Sequence, residues 1–190
     1  MSKVIKVKNP ILIDRFFGYI QDTLSGRLEW LDVAYPKAER VQKKNGQTGK
    51  RYYQPVVYLE GNDYDSLLPD DRRGNYSFFI LDDPQDYTQH TGMPGEVSGS
   101  CSLVFWFDYE KVFREKDLHS KDEVKLQVLE ALRAARIIGG KLKVLRFWDQ
   151  SENVFKGFGL DEVENQYLTH PFGGFRIECK YIIEEDCLIV

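Results

Sequence analysis

The stretch Ser100–Asp108, Ser-Cys-Ser-Leu-Val-Phe-Trp-Phe-Asp, constrains the fold of this chain more than any other. Its residues are β-branched, aromatic or small, with turn-rich sequence before it and a charged segment after it. Side chains alternate across a strand, so Cys101, Leu103, Phe105 and Phe107 share one face, and Ser102, Val104, Trp106 and Asp108 the other. Bulk on both faces is the pattern of an interior strand, covered on one side and partly on the second. The rest of the chain is expected to pair with this strand or pack against it.

Around it the elements follow from spacing. Asn9-Pro10 reads as a helix start, because Asn caps free amides and Pro at the first helical position has no amide hydrogen to lose. Ile13, Phe16, Phe17, Ile20 and Leu24 then form one apolar stripe, with Gly26 as the stop. Leu28 to Tyr35 reads as a strand that Ala38 to Val41 continues beyond Pro36. The basic loop Lys43 to Arg51 leads into a returning strand, Tyr52 to Glu60, where Pro55 suggests an edge or a bulge. The pair makes a long hairpin with a positively charged, mobile tip. Residues 61–74 read as a loop, Asn75 to Leu81 as a strand, and residues 82–99 as a binding or disordered loop. Ser120 with Glu123 is a capping box opening a second helix, whose stripe is Val124, Val128, Leu129, Leu132 and Ala135. Leu142 to Trp148 reads as a strand, and residues 149–172 are mixed, with a short helix or turn at Val154 to Leu160. Phe175, Ile177, Cys179, Tyr181 and Ile183 alternate with Arg176, Glu178 and Lys180, which gives the last strand one wet face. This order implies an α+β fold: a mostly antiparallel sheet with two main helices on one face.

At 190 residues the chain suits a single domain, residues 1–190, with loop enlargements at 61–99 and 149–173. Twelve Phe, eleven Tyr and three Trp favour sheet packing or a broad contact surface. A net charge of -4 argues against a protein that coats nucleic acid, without excluding a local basic patch. Cys101, Cys179 and Cys187 lack the spacing of a zinc site and read as reduced thiols of a cytosolic-type compartment. The amino terminus has no apolar core of signal-peptide length, and no run approaches the ~18 apolar residues that span a bilayer. A soluble protein with no membrane partner is expected.

No stretch carries an enzyme signature, and no cofactor or metal is expected. Gly46-Gln47-Thr48-Gly49-Lys50-Arg51 has two residues between its glycines where a phosphate-binding loop needs four, and Arg51 stands where Ser or Thr should hold magnesium. Lys43, Lys44, Lys50 and Arg51 therefore read as a solvated hairpin tip, or as a contact for a phosphate backbone or an acidic partner. Asp70 with Glu178 and Lys180 has the residue types of a metal-dependent nuclease, which would require Asp70 or Asp71 beside Glu178 and Lys180 in the fold. His90, His119 and His170 are scattered, and Ser98, Ser100 and Ser102 lack a nucleophile-elbow context.

The layout resembles that of the tail-terminator, or tail-completion, proteins of long-tailed bacteriophages. The features that carry the resemblance are the opening helix Pro10 to Leu24, the strand ending near Tyr35, the hairpin with its Lys43 to Arg51 tip, and the central strand feeding the Ser120 to Arg136 helix, with Gly173-Gly174-Phe175-Arg176-Ile177-Glu178 closing the order. The resemblance is one of element order, without an invariant motif. It implies a non-enzymatic structural subunit that closes with copies of itself into a ring, usually a hexamer. Such a ring caps the tail tube protein, offers its other side to the head connector protein and passes DNA through its centre without reading its sequence. It would be found in the host cytoplasm during assembly and in the tail or neck of the virion. On this reading the tip Lys43, Lys44, Lys50, Arg51 lies at an inter-subunit, tube-facing or lumen-facing surface. Another phage neck or joining protein would share the same texture.

Overall fold

A computed structural model describes residues 3–4, 12–46, 48–59, 63–70, 72–89, 91–92, 94–115, 118–137 and 139–184. The expected helix start at Asn9-Pro10, and Gln47, Asp71, His90 and Cys187, lie outside them. In chain order the elements are β1 (Lys3–Val4), α1 (Leu12–Arg27), β2 (Val33–Lys44), β3 (Arg51–Leu59), β4 (Asp63–Ser66), β5 (Tyr76–Thr88), β6 (Glu96–Asp108), α2 (Tyr109–Glu115), α3 (Lys121–Ala134), β7 (Gly140–Trp148), α4 (Ser151–Val154) and β8 (Phe172–Glu184). The strands form one sheet in the order β4-β3-β2-β5-β6-β8-β7, with β1 added alongside β2. Among the described residues the pairing is antiparallel except for β1 with β2 and β2 with β5. The fold is α+β.

The strand at the centre is β6, which contains the apolar stretch 100–108 and pairs with β5 on one side and β8 on the other. Cys101, Leu103, Phe105 and Phe107 enter one buried cluster, while Val104 and Trp106 enter a second on the opposite face. Over the first face lie the two main helices. Phe17 of α1 packs its ring 4.4 Å from Phe79 and 5.5 Å from Tyr181. Val124, Val128 and Ala131 of α3 join the same cluster. Burying each of the α1 phenylalanines contributes on the order of 1.5–3 kcal/mol, which fixes the helix against the sheet far more firmly than helix propensity could. The reciprocal capping box of Ser120 and Glu123 is present at the start of α3.

Residues 149–172 cover the second face. Phe155 sits 5.2 Å from the Trp106 ring and 6.4 Å from that of Phe78, and Val154 and Phe155 are as buried as the central strand. This stretch is polar in composition because only a few of its residues face the sheet. Its cover changes the expected wet face of β8. Arg176 is only 7% exposed, with its Nε donating to Ser102 Oγ at 2.9 Å and an Nη to the carbonyl of Lys156 at 3.2 Å. Burial pulls the Arg176 pKa below its usual value; Asp82 and Glu178 oppose that shift and Arg40 adds to it.

Three expected loops and strands differ. Residues 82–99 are not a loop: β5 runs on to Thr88 and β6 begins at Glu96, with a register shift between Leu81 and Gln85. Both faces of this distal part are largely open, so apolar alternation was never required there. The loop expected at 61–74 contains the polar strand β4. Leu28 to Asp32 is a turn that buries Leu28, Trp30 and Leu31 rather than a strand, and β2 starts at Val33. Asn75 locks this turn: its Nδ2 donates to the Trp30 carbonyl at 2.8 Å, its Oδ1 accepts from Asp108 N at 2.9 Å, and its N donates to Asp32 Oδ2 at 2.8 Å. Gly74 makes that approach possible, since a Cβ there would lie 2.4 Å from Asp32 Oδ2 and φ is +67°.

Pro55 is not on an outer edge, because β3 pairs with both β2 and β4. The pairing with β4 ends at Val56↔Ser66, and the carbonyl of Pro55 accepts from Leu67 N at 2.7 Å. A strand residue directs its N and its carbonyl to the same side, so the missing donor faces the point where β4 stops. The β2–β3 pair itself departs from the main sheet. Residues Val33 to Ala38 pair with β5, whereas Glu39 to Lys44 pair with β3 alone.

Candidate functional site

The basic tip is at the end of that departing hairpin, where Lys44 pairs with Arg51 and Lys43 with Tyr52. Lys43, Lys44, Lys50 and Arg51 are all exposed. The tip was expected to stand free, yet residues from the far end of the chain bind it. Gly159 N donates to the Tyr53 carbonyl at 2.9 Å, on the open edge of β3. Lys50 Nζ pairs with Asp161 at 3.6 Å, Asn45 Nδ2 donates to Glu162 Oε1 at 3.3 Å, and the Tyr52 hydroxyl donates to the other Glu162 oxygen. Removal from water and the hydrogen bond to the Glu162 carboxylate push the Tyr52 phenol up to about 12. The Arg40 guanidinium is sandwiched 5.2 Å from the Phe158 ring and 5.6 Å from that of Tyr53. Of the four predicted cations, Lys50 is thus engaged, while Lys43, Lys44 and Arg51 form no ion pair among the described residues.

Asp70, Glu178 and Lys180 are not brought together. Asp70 follows β4 and accepts from Arg72 Nε at 2.8 Å and from the Arg73 guanidinium, whose other arm reaches Asp65 at 2.5 Å. Burial opposes both charges, but the mutual hydrogen bonds win: Asp70 is held below the usual carboxylate range and Arg73 above its ordinary value. Glu178, on β8 near the other end of the sheet, accepts from Trp148 Nε1 at 2.8 Å and from Arg146 Nε at 3.0 Å. Among the described residues no group of three or more His, Cys, Asp or Glu could hold a metal. Of the described histidines, His170 stacks on Tyr109 with centroids 6.4 Å apart, and His119 donates its backbone N–H to Glu123 at the α3 cap. Cys101 and Cys179 are directly opposed, buried and free, and the Cys179 contact together with burial drives the Cys101 thiol well above its usual value, away from reactivity.

A second charged surface escaped the sequence reading. The strand β7 ends the sheet, and Lys141, Lys143 and Arg146 are exposed on it, with Leu145 at the register shift 41% exposed. Lys143 stands directly opposite Lys180. Like charges so placed repel, and no acid offsets them among the described residues. At the same end of the sheet, β5 beyond Ile80 loses its β2 neighbour and carries Asp82, Asp83 and Asp86. The signal for the basic strand was present as Lys-Leu-Lys-Val-Leu-Arg, but only the pairing register reveals what it faces.

No helix among the described residues is long and apolar enough to cross a membrane. Compared with protein-family models, with curated proteins and with solved structures, the chain matches none.

Proposed function

We propose that this chain is a ring-forming structural subunit of the tail-terminator type, which caps a phage tail tube and joins it to the head connector. The reading rests on an element order that resembles those proteins. The observation that carries it is a rigid body, sheet backed by two helices, from which the β2–β3 hairpin departs with Lys43, Lys44 and Arg51 exposed. Such an arm presents charge to a neighbour or to the tube without disturbing the core. The acids and lysine of a nuclease are apart, engaged with Arg72, Arg73 and Arg146 in the case of Asp70 and Glu178, so binding is the better-supported role.

The test is electron microscopy of the purified chain, alone and mixed with tail tubes of the same particle. Rings seated at tube ends are expected; tubes that stay uncapped reject the reading. Replacing Lys43, Lys44, Lys50 and Arg51 together by Ser should keep the far-ultraviolet circular dichroism of the parent and reduce capping. Unchanged capping in that variant removes the tip from the contact.

A further inference from the structure

The two free edges of the main sheet carry opposite charge at the same height. Cross-strand pairing puts Lys141 opposite Ile182, Ile182 opposite Ser98, and Ser98 opposite Asp86, so the four share one row and one face. The next row on that face runs Lys143, Lys180 and Ser100, and ends at the β5 irregularity that contains Asp82 and Asp83. Because β5 is antiparallel to β6, β6 to β8 and β8 to β7, the strands β5 and β7 run in opposite directions. A second copy set beside the first, by rotation about an axis along the strands, would place its β5 antiparallel to β7. Without any rise, its Asp86 falls in the row of Lys141 and its Asp82–Asp83 corner in the row of Lys143.

We propose that β7 of one copy adds to the distal β5 edge, Asp82–Thr88, of the next, and that this head-to-tail contact closes the ring. The proposal deepens the ring reading above and rests on it. Charge selects the geometry: β7 against β7 sets lysines against lysines, and β5 against β5 sets acids against acids. Only the unlike edges attract, and an unlike contact repeated by rotation closes into a ring rather than a two-fold dimer. The edge is open because β2 stops pairing with β5 at Ala38↔Ile80. Pro84 has no amide hydrogen, which confines main-chain pairing to Gln85–Thr88 and leaves the register to the charges.

The opposite face supplies an apolar seat. Tyr87, 57% exposed, lies in the row of Val97, Ile183 and Gly140. Beside Gly140 a cleft of about 450 Å³ opens between α3 and β7, lined in part by Leu132, Ile137, Leu142 and Val144. A neighbour's Tyr87, in that row, points to the mouth of this cleft. Main-chain pairing with side-chain pockets alongside is the usual form of strand addition.

The test uses two charge-reversed chains, Lys141→Glu with Lys143→Glu, and Asp83→Lys with Asp86→Lys, which leaves the Asp82–Arg176 pair intact, followed by sedimentation velocity at low and high salt. Each reversed chain alone should associate at least tenfold more weakly than the parent while keeping its thermal unfolding profile. An equimolar mixture of the two should regain association, because every contact again joins unlike charges. Tyr87→Ser should weaken the parent's association at high as well as low salt. A parent chain that stays monomeric, association indifferent to either reversal, or a mixture that remains apart overturns the proposal. Association through this edge with uncapped tubes would leave the edge standing and reject the tail-joining reading; capping that ignores both reversals would do the reverse.

Discussion

At the hairpin tip, cations adjacent in sequence meet acids brought from more than a hundred residues away, Asp161 and Glu162, through Lys50, Asn45 and Tyr52. Along β7, cations spaced by the period of a strand meet a third lysine at Lys180, and among the described residues Arg146 alone finds an acid, Glu178. The conspicuous cluster is therefore the one the fold partly satisfies, and the inconspicuous one is left exposed. Charge density along a chain measures neither the field at a surface nor what remains available to a partner; the register of pairing decides both.

Breaking the cover over the second face should have the largest effect on this contrast. Phe155→Ala removes a fully buried ring between Phe78 and Trp106, and is expected to cost about 3–5 kcal/mol in urea unfolding. Amides of the Lys43–Tyr53 hairpin should then exchange faster by hydrogen-exchange mass spectrometry, while those of β7 change less. Equal acceleration in both would mean that the tip is not held by this segment. Next in size is Asp70→Asn, at about 1.5–3 kcal/mol for weakening a charge-assisted bond to the buried Arg73. In the parent, Asp70 is depressed below its unfolded value near ~4, so its contribution is present above that pH and fades as pH falls through the folded value. The urea midpoint of the variant should fall less steeply between pH 5 and 2, and an identical slope would remove Asp70 from the acid limb.

Glu162→Gln sharpens the contrast from the tip's side. Tyr52 should titrate down from about 12 toward the ordinary tyrosine value of about 10, followed by phenolate absorbance. The parent keeps this contribution below about pH 10 and loses it as pH rises toward 12. At neutral pH the substitution should cost under ~1 kcal/mol, because the contact is exposed. Smallest of all is Lys143→Ser, expected within about 0.5 kcal/mol of the parent, because the side chain is exposed and opposes Lys180. A loss above ~1 kcal/mol would give this lysine a folding role and dissolve the contrast.

Where burial dictated residue type, the fold was legible. The central strand, the α1 stripe from Phe16 to Leu24, the capping box at Ser120 and the inward set of β8 all have the partners that their spacing required. Legibility failed where few side chains of a strand enter the core: the exposed end of β5 up to Thr88, and β4, whose Tyr64 packs on Tyr58 and whose Asp65 meets Arg73, carry no alternating apolar signal. It failed again at Arg176, whose polarity suggested solvent although Lys156 and Ser102 bury it. The candidate surface was half visible. The tip showed as a run of Lys and Arg, but its acidic partners at Asp161 and Glu162 and the level match of Lys141 with Asp86 depend on contacts between distant residues that no local pattern encodes.

The parallel pairing of β2 with β5 obliges the chain to travel back to the end where β2 began before β5 can start. Here β3, antiparallel to β2, carries the chain back, instead of a helix laid across the sheet. Residues beyond Ala38 in β2 and their partners in β3 lie outside the β5 pairing, and Arg40, Asn45, Lys50, Tyr52 and Tyr53 meet residues 158–162 there. The reach of the projecting hairpin is in that sense gauged against the segment that covers the second face, so a change in the length of one calls for a matching change in the other.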